Sequence, residues 1–281
     1  MSQFPRASIV IPAHDEAQGI TRTISTLLAD AHEGEFDVLV VCNGCTDDTA
    51  DRARSIPGVS VREIDTASKI AALREADRST EVFPRIYLDA DVLLTTDAAR
   101  AMADALSDGD ELVAGVPGRY DLRQASPLVA LFYEFRQRLP VFAHGIIGAG
   151  VYAMSAEGRA RFGEWPNVLG DDQFVYRLFT EHERAVLDEH RTTVEPAADL
   201  RSVVRRGTRV RQGNDQLSLG QQTDRSFASP RAGLTVGLLV SAGSMRGIAS
   251  AAVFGLVTIV IRLKNRFGRG GDWPSARTTD P

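Results

Sequence analysis

The chain has 281 residues, 43% hydrophobic and 25% charged, an ordinary globular composition with room for one large domain or a domain with an appendage. Two cysteines, Cys42 and Cys45, exclude a disulfide framework and fit a reducing compartment. The formal charge of −5 hides an asymmetry: residues 201–281 carry 13 basic and 4 acidic residues, which leaves −14 on the first 200. An acidic body argues against a nucleic-acid-binding protein, while the basic tail suits phosphates or an anionic membrane surface. Residues 1–6 lack the apolar run of a secretory signal, so a cytoplasmic location is expected, peripheral at the inner face of the membrane if the tail meets lipid.

Ser8-Ile9-Val10-Ile11-Pro12 reads as a buried strand stopped by proline. His14-Asp15-Glu16 follows, then Ile20, Ile24, Leu27 and Leu28 at helical spacing, with the acids placed in a first turn where they suit the helix dipole. A second strand, Phe36 to Val41, runs into Cys42-Asn43-Gly44-Cys45-Thr46-Asp47-Asp48-Thr49, where Thr46 is expected to cap the next helix. Val59–Ile64 reads as a strand, Ser68–Asp77 as a helix and Arg85–Leu88 as a fourth strand. This alternation predicts a parallel sheet with helices on both faces. Ligands of such sheets bind beyond the carboxyl ends of the strands, the edge at which Asp15, Glu16, Asn43, Asp89 and Asp91 fall.

The fourth strand ends in Asp89-Ala90-Asp91. In an extended chain side chains two apart point the same way, and two anions so placed need a cation or hydrogen-bond donors between them. Hard oxygen ligands of this kind suit Mg²⁺ or Mn²⁺ shared with substrate phosphates. Beyond residue 112 the pattern loosens. Leu112–Gly115 reads as a strand and Leu128–Arg138 as a helix, and the glycine-rich run from His144 to Gly150 enters a strand at Val151. Gly170-Asp171-Asp172 then opens another helix, where acids are favoured by the dipole whether or not they do chemistry.

Some features keep two readings. Cys42 and Cys45 form a Cys-x-x-Cys, a redox or zinc motif, yet no second cysteine pair exists. Trp165 is a core aromatic or a pocket wall. Arg205, Arg206, Arg209 and Arg211 form a solvated basic loop or a clamp on a phosphate. Between Gly233 and Ile261 uncharged stretches of 13 and 15 residues flank Arg246. Neither reaches the ~20 residues of a membrane span, and together they carry a central arginine worth ~2.5–3.5 kcal/mol against insertion. Packing on the body, membrane-surface contact and a span all stay open, and Arg262, Lys264, Arg266 and Arg269 supply a basic flank.

These segments in this order resemble glycosyltransferase family 2. Ile9-Val10-Ile11-Pro12-Ala13-His14-Asp15-Glu16 is similar to that family's Ile-Pro-x-x-Asn-Glu, with Asp15 for Asn. Asn43-Gly44-Cys45-Thr46-Asp47-Asp48-Thr49 is similar to Asp-Gly-Ser-x-Asp-x-Thr, with Asn43 for Asp and Cys45 for Ser. Ser68-Lys69-Ile70-Ala71-Ala72 resembles Gly-Lys-x-x-Ala, Asp89-Ala90-Asp91 falls at the Asp-x-Asp, and Asp171-Asp172 looks like the later Glu-Asp pair.

The resemblance covers roughly residues 7 to 200. It implies an α/β GT-A fold, a Rossmann-like, mostly parallel sheet flanked by helices, here with a helical C-terminal tail. It implies a metal-dependent glycosyltransferase with Mn²⁺ or Mg²⁺ as cofactor and two partners, a nucleotide-sugar donor and a hydroxyl acceptor (small molecule, lipid or glycan). Pro12, His14, Glu16, Asn43, Lys69, Asp89 and Ala90 are the implied donor-binding residues. Asp91 binds the metal, Asp89 the metal or the donor ribose, and His190 lies where some members supply a third ligand. Asp172 is the implied base, with Asp171 the alternative.

An amide at 43 both donates and accepts, so uridine is not implied. The processive Gln-x-x-Arg-Trp is missing, which points to a single transfer, and a base acting in direct displacement points to inversion. The expected organisation is a catalytic domain over 1–215, a helical apolar extension over 216–267 and a disordered tail over 268–281. A sugar nucleotidyltransferase would carry a glycine-rich, arginine-containing loop after the first strand, where this chain has Ala13-His14-Asp15-Glu16-Ala17-Gln18. An inactive nucleotide-sugar-binding module fits Asn43 and Ser68 but not the three acids.

Overall fold

The structure, a computed structural model, describes residues 5–139, 142, 145–220 and 244–267. Strand β1 (Ala7–Ala13) lies between β2 (Phe36–Asn43) and β4 (Arg85–Leu88) and parallel to both, with β3 (Val59–Ile64) parallel to β2 at the edge. On the other side β8 (Val151–Met154) runs antiparallel to β4 and to β6 (Val113–Gly115), and β9 (Arg184–Val186) pairs parallel to β6. Among the described residues, β8 alone runs against its neighbours in this seven-stranded sheet. A second, three-stranded sheet of β5 (Val92–Leu93), β10 (Thr192–Val194) and β7 (Gly118–Tyr120) starts just past the end of β4. Its strands are two or three residues long and joined across the chain, so the sequence carried no local signal for it.

The central strands are apolar throughout because both of their faces are covered. Successive side chains alternate between two cores. Ile9, Ile11, Val38 and Val40 pack with Ile20, Ile24 and Leu27 of α1 (Ile20–Leu27) and Met102 of α4 (Thr96–Asp108). Val10, Leu39 and Val41 pack instead with Ile70 and Leu73 of α3 (Lys69–Ser79), Phe174 and Val175 of α7 (Asp171–Leu178), and Trp165. Trp165 is fully buried, which makes it core rather than pocket wall.

Two caps differ from expectation. Helix α1 starts at Ile20 with no acid in its first turn, so Asp15 and Glu16 sit in the preceding loop. Helix α2 (Thr49–Arg54) starts after Asp48, not after Thr46. Thr46 is drawn away because its N–H and hydroxyl bond Asp15, while the Asp47 carboxylate takes the N–H groups of Ala17 and Thr49. Ser68 does cap α3, its Oγ accepting from Ala71 N at 3.3 Å.

Helix α5 (Pro127–Arg136) carries aromatic residues toward the body, and the short α6 (Ala156–Ala160) follows β8. The basic stretch read as a loop is helix α8 (Leu200–Gly220), which runs unbroken through position 215. Gly207 within it serves close approach: a Cβ there would run into Ile261 Cδ1 of α9 (Met245–Phe267). Helix α9 lies against α5 and α8. Phe254 stacks on Phe132 with ring centroids 5.3 Å apart and meets Phe135 at 4.8 Å, and Arg246 Nε donates to Glu134 Oε2 at 3.0 Å. His144, residues 221–243 and the expected tail at 268–281 lie outside the described residues.

Candidate active site

Strand β4 ends at Leu88, and the chain then turns: Asp89 N donates to Gly150 O at 2.8 Å and Val92 N to Asp89 O at 3.1 Å. Asp89 and Asp91 are therefore neighbours through a turn at the sheet's carboxyl edge, not through the pleat of an extended strand. The Asp89 carboxylate is hemmed in by protein yet open at its mouth, with 38% of its side-chain surface accessible. Burial pushes it up to about 6, Lys69 pulls it down, and Asp171 and Asp91 add to the rise.

Lys69, the first residue of α3, is misplaced for a helix dipole and is held there by charge. Its Nζ stands 2.6 Å from Asp89 Oδ1 and 2.9 Å from Asp171 Oδ1. Burial opposes its charge, but the two carboxylates outweigh that and hold it protonated well above the usual lysine range. Asp171 is closed off. Its side chain is 6% exposed, Tyr152 Oη donates to its Oδ2 at 2.8 Å and Lys69 occupies its Oδ1. Such a group orients its neighbours and has no lone pair facing an incoming substrate.

Asp172, one residue on, faces otherwise. Its Oδ2 accepts from Gly148 N at 2.9 Å and its Oδ1 from Gln173 N at 2.8 Å. Burial, and next the Asp171 charge, raise its pKa above the ordinary carboxylate value, which is how a carboxylate becomes a better proton acceptor. The glycine-rich loop joins these acids. Gly145, Gly148 and Gly150 all have φ near +70°, a region in which only glycine is unstrained. At Gly150 a Cβ would run into Val92 and stand 3.4 Å from Asp89 Oδ2. The loop thus passes directly between Asp89 and Asp172.

On the β1–β2 side, Asp15 adopts φ +49° and its Oδ1 accepts from Thr46 N at 2.7 Å, tying the two loops together. His14 Nδ1 donates to Asn43 O at 2.6 Å. Asn43 is buried, with Nδ2 donating to Ala13 O at 2.8 Å. Its Oδ1 has no hydrogen-bond partner among the described residues, an unused acceptor beneath the loop. Glu16 N donates to Thr49 Oγ1 at 2.8 Å, its carboxylate lies beside Gly19, and Ala90 O accepts from Thr23 Oγ1 at 2.8 Å. Pro12 is buried within β1. Cys42 and Cys45 are both free thiols. The ligand atoms of Asp15, Cys45 and Asp47 lie within 4.8 Å of one another, but Asp15 and Asp47 already serve backbone N–H groups.

The structure thus brings Lys69, Asp89, Asp91, Asp171 and Asp172 together, with His14 and Glu16 part-exposed on the β1–β2 side and Asn43 buried beneath them. His190 is turned elsewhere: its Nδ1 is 3.5 Å from Asp97 Oδ2 on α4, and no trio with Asp89 and Asp91 closes within 4.8 Å. The sequence marks Arg206 only as part of a basic loop or a phosphate clamp, and it does not single out Tyr152 at all. Arg206 of α8 reaches back to Asp91, Nη2 to Oδ2 3.3 Å, and Tyr152 orients Asp171. The helical spacing of Arg205, Arg206 and Arg209 was the available signal for the first. Nothing in the sequence marked the second, since Tyr152 reads as one more aromatic residue in a buried strand. An open cavity of about 710 Å³, lined among others by Pro84, Leu112 and Ser155, lies at the opposite edge of the sheet and holds none of these groups.

Asp89 and Asp91 suit a small hard cation. They offer oxygens only, one carboxylate mouth is open, and Mg²⁺ or Mn²⁺ typically takes one or two carboxylates plus substrate phosphate oxygens. The Arg206 contact to Asp91 shows that this edge already attracts a cationic group.

Comparisons with known proteins agree with this layout. A search of curated proteins found no match. Among solved structures, the mannosyltransferase PcManGT from Pyrobaculum calidifontis, solved with GDP-Man and Mn²⁺, is similar at TM-score 0.64 and 18% identity, over 96% of this chain and 89% of that one. Glucosyl-3-phosphoglycerate synthase from Mycobacterium tuberculosis, solved with Mn²⁺, UDP and glucosyl-3-phosphoglycerate, is similar at TM-score 0.55 and 20% identity, over 78% and 81%. At these identities the likeness is one of fold, and it is the GT-A fold. The family model described as Glycosyl transferase family 2 matches residues 8–152, more than half of the chain and the whole run from β1 to the start of β8. The chain therefore belongs to glycosyl transferase family 2 and is a glycosyltransferase.

Proposed function

We propose that this glycosyltransferase moves one sugar from a nucleoside-diphosphate sugar to an acceptor hydroxyl, with inversion and without processivity. The observation that carries the reading is Lys69 bonded to both Asp89 and Asp171, because that bridge sets the acidic turn and the Asp171-Asp172 pair into a single cleft. Asp91, with Asp89 beside it, would hold a Mn²⁺ or Mg²⁺ ion, which when bound neutralises the diphosphate leaving group. His190, facing Asp97, is left out of that set.

The chain's own groups do the rest. Pro12, His14, Glu16, Asn43 and Ala90 would form the nucleoside side of the cleft, Asn43 from beneath, where its buried side chain holds the loop through Ala13 O. Lys69 and Arg206 bring positive charge to the diphosphate side. Asp172 takes the proton of the acceptor hydroxyl as its oxygen bonds to the anomeric carbon. The bond from that carbon to the diphosphate breaks, and the nucleoside diphosphate departs with the electron pair. Attack from the face opposite the leaving group inverts the centre. We assign catalysis to the part up to about residue 215 and treat 216–267 as its extension, helical over the described 216–220 and 245–267. The free thiols Cys42 and Cys45 support a cytoplasmic setting.

The test is Asp172→Asn with nucleoside-diphosphate sugars and Mn²⁺, read as donor binding by calorimetry and as donor hydrolysis without acceptor. Donor affinity should hold while turnover falls by about 10²–10⁴. A variant with unchanged kcat moves the base to another residue.

A further inference from the structure

Helix α9 carries no charged residue from Gly247 to Ile261 and no acidic residue at all. A helix of that kind normally lies buried in a core or in lipid. Here one side is covered: Ser250, Phe254, Val257 and Ile261 face α5 and α8. The other side presents Met245, Ile248, Leu256, Ile259, Val260 and Leu263, each at least 42% exposed, and only 17% of the helix's most apolar 18-residue stretch is buried. Isolated exposed hydrophobic residues are ordinary, whereas a contiguous row along one helix marks an interaction surface. Arg262, Lys264 and Arg266 follow the row directly.

We infer that the outer face of α9 docks on an anionic bilayer surface. Charge selects this partner. The apolar row ends in three basic side chains, and residues 201–281 are strongly basic while the body is acidic. An apolar strip with a basic end matches acyl chains beneath anionic headgroups, and the acidic body stays on the water side. Seated along α5 and α8, with Arg246 bonded to Glu134 on α5, the helix lies on the surface rather than crossing it, and the packed body stands in for the polar face of an interfacial helix. The site is one helix away: Ile261 packs on Gly207 of α8, and the adjacent Arg206 contacts Asp91. The inference does not depend on the sugar-transfer reading, since it concerns a face that carries none of the acids.

The experiment is co-sedimentation of the full-length chain with sucrose-loaded vesicles of phosphatidylcholine alone or with 30 mol% phosphatidylglycerol. The protein should pellet with the anionic vesicles and stay largely soluble with the neutral ones, and 0.5 M salt should release it. The triple variant Arg262→Gln/Lys264→Gln/Arg266→Gln should bind roughly a hundredfold more weakly, about fivefold per charge. Leu256→Glu/Ile259→Glu, two exposed positions outside the core, should abolish binding while leaving donor hydrolysis and the melting temperature unchanged. Wild type that stays in the supernatant with both vesicles, as when another part of the chain covers this face, overturns the inference. A wild-type dimer that Leu256→Glu/Ile259→Glu converts to monomer overturns it in favour of a second copy. Salt-independent binding to neutral vesicles, released only by detergent, overturns it in favour of a span.

Discussion

Lys69→Met removes the ammonium that bonds Asp89 and Asp171 while keeping most of the side chain's bulk. The two arms of the bridge weigh differently. Breaking a buried pair costs about 3–5 kcal/mol, and the Asp171 arm, with its acid 6% exposed, is close to that case. The Asp89 arm is more than a third open on the acid's side, where solvent screening leaves about 0–1 kcal/mol. Because the lysine itself is 30% exposed, the total comes to about 2–4 kcal/mol, or a fall in Tm of roughly 5–12 °C for a chain of this size. The pH dependence makes the test specific. Burial holds Asp89 up to about 6 even beside Lys69, and without the lysine it rises further. A carboxyl whose folded pKa is raised destabilises nothing below its unfolded value of about 4, and its full cost appears above the folded value. The Tm gap between variant and wild type should therefore be smallest near pH 5 and widen through pH 6–8. Thermal unfolding in EDTA across that range measures it, with Lys69→Arg as the charge-preserving control. A gap that is constant or narrows as pH rises, or a variant as stable as wild type at pH 8, refutes the bridge as described.

Arg206→Met uncovers Asp91, so calorimetry should find Mn²⁺ binding about two- to fivefold tighter without nucleotide, and nucleoside-diphosphate binding roughly tenfold weaker or more. If neither moves, Arg206 is only a packing residue. Glu35 is held down to about 2, first by its hydrogen bonds from Arg100, at 2.6 and 2.8 Å. The resulting stability is complete above about pH 4.5 and is lost as pH falls toward 2. Denaturant titrations should show Glu35→Gln lacking about 1–2 kcal/mol of that acid-side slope, and identical slopes would mean the pair is solvated.

The donor half of the fold was legible because its signals are local. Unbroken apolar runs at Ile9–Ile11 and Val38–Val41 mark strands covered on both faces, and each ends where a polar residue meets the sheet's edge. The acids of 89–91 stood out at the end of an apolar run and those of 171–172 at the opening of a helix, whereas Lys69 was marked only by the resemblance of residues 68–72 to a family motif. What the sequence hid was long-range. The arginines of 205–211 read as a loop, and only the packing of Ile261 on Gly207 shows why a glycine sits in that helix. His190 follows two acids, but its ring is taken by Asp97. Asp171 and Asp172 look alike in the chain and differ because Tyr152 of β8 and Lys69 hold the first, while backbone N–H groups meet the second. The small second sheet depends on pairings between residues as far apart as Gly118 and Thr192 or Leu93 and Thr193, which no local pattern encodes.

The reversal of β8 has a consequence for how such a cleft can change. Because that strand alone runs backward, its entrance rather than its exit lies beside Leu88 of β4, and the chain leading into it borders the cleft from the far bank. Residues before 92 form one bank and residues after 145 the other, joined beneath by the β4–β8 pairing and a shared core and across the acids by the Lys69 bridge. If the proposed donor side holds, insertions or substitutions upstream of Val151 would reshape one wall while the opposite wall is left as it is, so that new specificities could arise by altering one side alone.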